Sequence, residues 1–187
     1  MDSKLIHEEG GEKTFALVFD TGDEVVSEIT NFAKETALDA ATLTAIGAFS
    51  DVTLGYFDIE RKAYEKIPVE EQAEVLSMIG DIALNEGEPE LHAHVVLGRR
   101  DGTTRGGHLL EAHVRPTLEV VLTESPDHLK KRTDEETGLA LIYIEDGYEG
   151  ARRREDLRLQ HEVGRVGVGA ARAVDHYHRP GELSQDQ

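Results

Sequence analysis

The chain has 187 residues, 38 Asp and Glu against 20 Lys and Arg for a formal charge of −18, and no cysteine. That length suits one domain, or one domain with an appendage, and buries a single sizeable core; without cysteine there is neither disulfide nor thiolate chemistry, so any metal must be held by nitrogen and oxygen. The seven arginines and seven acidic residues of 147–187 cancel, so the body carries the whole negative charge and repels phosphate backbones, which disfavours nucleic-acid binding by the body.

Residues 1–9 lack a basic segment followed by an apolar one, and no apolar run approaches the ~20 residues of a membrane span. A cytoplasmic location and no membrane partner are expected. Phe15, Leu17 and Phe19 alternate with Ala16 and Val18, the pattern of a strand that ends at the turn Asp20-Thr-Gly-Asp23. A helix follows, with caps on offer at Asp20, Thr21 and Asp23, acid at Asp23 and Glu24 where the helix dipole favours it, and an apolar stripe of Val25, Ile29, Phe32 and Ala33. Residues 42–48 and 52–58 read as two short strands, and 61–69 and 73–84 continue with β character around Pro68.

Two strands, 91–98 and 104–115, flank Asp101-Gly102, the commonest short hairpin signal, and are expected to be antiparallel neighbours. His92 and His94 share one face of the first strand because side chains alternate. A two-residue turn at Asp101-Gly102 would place His108 on the wrong face, and one extra residue at Gly106-Gly107, inserted as a bulge, restores the parity. His92, His94 and His108 then converge. Neutral imidazoles bind zinc, and three protein ligands with one open position is the arrangement of catalytic rather than structural zinc. His113, five residues past His108, is excluded by strand parity. Glu90, two residues before His92 on the same face, is the candidate general base, with Glu74 a weaker choice from the adjoining strand.

Leu118-Glu-Val-Val-Leu122 beyond Pro116 and Leu139-Ala-Leu-Ile-Tyr-Ile144 complete the strands. Many short strands, one principal helix and no alternating βα rhythm give an α+β fold: a single compact domain, residues 1–145, built mainly on an antiparallel sheet. Residues 146–187 form a C-terminal appendage, mobile or partly helical, containing Arg152-Arg-Arg154, the glycines of 164–169 and a second His-x-His, His176 and His178. The glycines lack the Gly-Lys-Ser/Thr ending of a phosphate loop.

Glu74-Val-Leu-Ser-Met-Ile-Gly80, Pro89-Glu-Leu-His-Ala-His94, Asp101-Gly102, Gly106-Gly-His-Leu109 and Pro116-Thr-Leu-Glu-Val-Val-Leu122 stand in the order of the plant and prokaryote conserved (PPC) domain, domain of unknown function 296, which the chain resembles over about residues 5 to 145. Asp20-Thr-Gly-Asp-Glu24, Ile46-Gly-Ala-Phe49 and Asp134-Glu-Glu-Thr-Gly-Leu139 extend the resemblance. It implies a compact α+β fold assembling into a homotrimer, with His92, His94 and His108 as a cluster that holds zinc or another divalent transition metal. The plant domain follows a basic AT-hook, and prokaryotic members carry DNA-binding labels by that analogy. This chain has no Arg-Gly-Arg-Pro, and Lys13 is the nearest basic residue to the family's early arginine.

Three functions compete. The first is a homotrimeric metal-binding domain whose open zinc position serves hydrolysis or binds a small anionic ligand; beyond that position no catalytic motif is present. The second is a non-catalytic platform for protein partners, with exposed apolar residues of Ala73–Leu84 building the subunit interface. The third, DNA binding or a role in transcription, rests on family analogy and on the tail arginines alone.

Overall fold

A computed structural model of the chain describes residues 1–125 and 129–144, all within one unit, Met1–Ile144. The tail features named above, His176 and His178 among them, lie outside the described residues. The elements are β1 (Asp2–Glu9), β2 (Glu12–Phe19), α1 (Val25–Glu35), β3 (Ala40–Asp58), β4 (Ala63–Val69), β5 (Ala73–Asn85), β6 (Glu88–Gly98), β7 (Thr104–Glu124), β8 (Lys130–Thr133) and β9 (Ala140–Tyr143). The sheet is mostly antiparallel, with one parallel pairing, β5 to β8. No helix among the described residues is long and apolar enough to cross a membrane.

β3 pairs with both β5 and β7, and β6 pairs with the same two strands, so these four form a closed circuit of ladders. Inside it lie Phe49, Leu54, Met78, Ala93, Val95, Leu97, Leu109 and Leu118, all buried. The alternation of β6 shows why: Ala93, Val95 and Leu97 point in, and His92, His94 and Val96 point out. Helix α1 closes the core with Val25, Ile29, Phe32 and Ala33, the stripe its spacing predicts. Its cap differs from expectation. Glu24, not Asp20, Thr21 or Asp23, accepts from the N–H groups of Val26 and Ser27, and also from that of Ala112. Asp23 is engaged instead by the N–H of Asp20 and the terminal amine of Met1.

Three features depart from the sequence reading. β1, exposed along its whole length and with only the adjacent Leu5 and Ile6 apolar, has no periodic apolar signal, yet it pairs with β2 through a turn whose Gly10 and Gly11 both take positive φ. The expected strands 42–48 and 52–58 are one strand, β3, bent through register shifts around Gly47 and Ser50. Likewise β7 continues as one strand past Pro116. The ladder to β3 steps from Val114 to Leu118, so the missing N–H of proline falls where no partner is needed.

Candidate metal centre

The β5–β6 register sets Asp81 opposite His92 and Ile79 opposite His94, while the β6–β7 register sets His94 opposite His108. Three adjacent strands therefore present one outward face bearing three imidazoles and a carboxylate. The ring centroids of the histidines are 5.1, 5.2 and 5.3 Å apart, and one nitrogen from each falls within 4.8 Å of the others. The Nε2 atoms of His92 and His94 are 3.2 Å apart.

His108 reaches this face by a different route from the expected bulge. Paired residues run His94 with His108, Val95 with Gly107 and Val96 with Gly106 without interruption. The extra residue is in the turn. Arg99 N–H donates to Thr103 O and Gly102 N–H to Arg99 O, so Arg100, Asp101 and Gly102 form a three-residue loop with Gly102 at φ 80°. Gly106 and Gly107 answer a different need, close approach: a Cβ on Gly107 would stand 2.9 Å from Gly55 O. His113 also differs. Leu110 is an extra residue in β7 relative to β3, returning His113 to the outward face. Distance along the strand, about 16 Å for five residues, keeps it from the cluster; it bonds Asp51 instead.

Each imidazole has a distinct environment. His92 Nδ1 lies 3.2 Å from Asp81 Oδ2, so the carboxylate accepts the Nδ1 proton and turns the Nε2 lone pair toward the other histidines. His108 is stacked under Tyr64, centroids 4.7 Å apart. That ring reaches it over Gly55, which pairs with His108 and whose Cβ would lie 2.7 Å from Tyr64 Cδ1. Burial, then the neighbouring His92 and His94, pushes the His108 pKa down to about 4. Burial and His92 lower that of His94 as well. Imidazoles kept neutral are imidazoles with lone pairs free for a cation. His108 Nδ1 is buried without a hydrogen-bond partner, which a metal ligand or a bound donor would remedy.

Behind the cluster sits a cation absent from the sequence reading. Lys131, the sole buried charged residue among those described, places Nζ 3.6 Å from Asp81 Oδ1 and 3.5 Å from Glu90 Oε1. Burial pushes the Asp81 carboxyl up, but His92 and Lys131 outweigh it and hold the pKa below the usual carboxylate value. Glu90 is further tied by Asn85 Nδ2 at 2.6 Å. Glu74 pairs with Gly98 at the far end of β5 and is not brought to the cluster; Asp81 is the carboxylate that β5 supplies. No spacing rule pointed to Asp81, Tyr64 or Lys131. The one legible clue was the position of Asp81 directly after Gly80, the last residue of a motif of the resemblance.

A cleft of about 560 Å³ is lined by the three histidines, Glu90 and Lys131 together with the apolar side chains of Phe57, Tyr64, Leu139 and Leu141. All three histidines share a face with ring nitrogens converging, a donor set suited to a divalent transition metal.

The model of the Plants and Prokaryotes Conserved (PCC) domain matches residues 6–126. The chain belongs to this family. A plant- and prokaryote-conserved protein from Pyrococcus horikoshii is 34% identical, with TM-score 0.67 and 71% of this chain and 92% of that one covered. A metal-containing protein from Archaeoglobus fulgidus is 37% identical, with TM-score 0.66 and coverage of 75% and 99%. A protein from Bacteroides thetaiotaomicron that carries a provisional DNA-binding label is 26% identical, with TM-score 0.66 and coverage of 73% and 94%. No curated protein matches the sequence.

Proposed function

We propose that this PCC domain binds a divalent transition metal, zinc by preference, on His92, His94 and His108, and that it works as a cytoplasmic homotrimer acting on a small anionic ligand. The observation that carries the reading is the approach of three imidazole nitrogens within 4.8 Å, one of them oriented by Asp81. The metal-containing relative from Archaeoglobus fulgidus supports it. Bound there, the metal would supply Lewis acidity to an oxygen ligand. Glu90, on the cleft wall, is the carboxylate proposed to accept a proton.

The trimer reading draws on an outward apolar face. Ile79 and Val121 both flank Thr44 in the ladders, and Ile46, Leu76 and Val18 extend the face; Ile46 is 60% and Ile79 59% exposed. So much exposed apolar surface on one side of a sheet calls for a partner, and a further copy of the chain is the proposed one.

Metal content of untagged protein by elemental mass spectrometry, with native mass measured alongside, tests both. About one zinc per chain, lost in His92→Ala and in His108→Ala, supports the metal reading. A mass of three chains, lost in Ile79→Asp, supports the assembly. A metal-free trimer in every sample would move the function to a platform for protein partners.

A further inference from the structure

We propose that the cleft beside the histidines takes a small carboxylate with an apolar body, and that Lys131 holds its carboxylate group. This rests on the metal reading above and names the class of ligand. Lys131 has a side chain only 2% exposed, yet its carboxylate contacts are 3.5 and 3.6 Å long. Charge-assisted hydrogen bonds run nearer 2.7–2.9 Å, so a buried ammonium with three donors is left with room for a closer acceptor. Asp81 Oδ1, which faces it, is buried without a hydrogen bond. A lysine buried only to neutralise Asp81 and Glu90 would be expected to close on them.

Charge supports an anion. Asp81 and Glu90 together match Lys131 and half of a divalent metal, so the loaded cleft carries one net positive charge that a monoanion cancels. Shape supports an apolar body: Phe57, Tyr64, Leu139 and Leu141 contribute apolar surface to the lining, and the volume of about 560 Å³ admits a metabolite-sized molecule.

Cobalt(II)-loaded protein tests the proposal by its visible absorption spectrum, with benzoate and its neutral near-isostere benzamide as probes. Wild type is expected to respond to benzoate at concentrations at least about tenfold below benzamide, and Lys131→Met to lose that preference while retaining cobalt, since a charge-assisted hydrogen bond is worth about a factor of ten or more. Lys131→Arg is expected to restore part of it. Lys131→Met leaves both Asp81 and Glu90 without their cation, so Lys131→Met/Glu90→Gln provides a second variant in which the cost at Glu90 is removed. A lysine that merely pins β8 to β5 would change the unfolding midpoint and leave the preference intact. Equal responses to the two probes in wild type, or an unchanged preference in the lysine variants that fold, overturn the carboxylate proposal alone. A wild-type protein that takes up no cobalt overturns the metal reading and this one with it.

Discussion

His94 and His108 are direct partners across the β6–β7 ladder, and the three-residue turn between the strands makes them so. With a two-residue turn, His94 would face a neighbour of His108 and the third imidazole would point into the core. The turn in turn depends on Gly102 at φ 80°. Gly102→Ala places a Cβ in a backbone region that L residues avoid and is expected to cost about 1 kcal/mol. Urea unfolding measures that cost; no change in midpoint would show that the hairpin register does not rest on this residue.

Gly80 supports the cluster from β5. A Cβ there would meet His92 O at 2.5 Å and Ala93 Cα at 3.0 Å, backbone atoms with nowhere to go. Gly80→Ala is therefore expected to destabilise the domain by about 1–3 kcal/mol and to push His92 off the site. Metal content should fall further than in a variant of equal instability made elsewhere in the core, such as Met78→Ala. Equal metal content in the two would separate the strand spacing from the site.

Asp81→Asn keeps the size of the side chain but removes the carboxylate that orders His92 and pairs with Lys131. Loss of such a partner costs about 10–100-fold in metal affinity. Competition with a chromogenic chelator reads this directly, and an affinity equal to wild type would mean that His92 is oriented by something else.

The Asp51–His113 pair gives a pH signature away from the cluster. His113 Nδ1 lies 2.8 Å from Asp51 Oδ1, and the hydrogen bond raises the His113 pKa above 6.5 and lowers that of Asp51 below 3.8. The histidine contribution is complete below its unfolded pKa and fades as pH rises through the raised folded value. The aspartate contribution is complete above its unfolded pKa and fades as pH falls through the lowered one. Asp51→Asn should thus cost most between about pH 4 and 6.5 and less at pH 8.5. With side chains 37% and 50% exposed, the cost at its largest is about half a kcal/mol. Thermal unfolding across pH checks it; a cost that does not change with pH would mean the pair is not an ion pair.

The sequence by itself determined what is local and periodic. A period of two put His92 and His94 on one face, and a period near 3.6 put Val25, Ile29, Phe32 and Ala33 on the buried side of α1, because these faces follow from backbone geometry alone. The family was legible too, from ordered short motifs now matched over residues 6–126. Tertiary structure decided what depends on pairing between distant strands. Asp81 meets His92 through the β5–β6 register, Tyr64 covers His108 from β4, and Lys131 enters from β8 after a parallel pairing with β5. The turn residue that sets the face of His108, and the bulge at Leu110 that returns His113 to the same face, are single insertions. A single residue reverses every side chain beyond it, and only the closed ladders of β3, β5, β6 and β7 say where that residue lies.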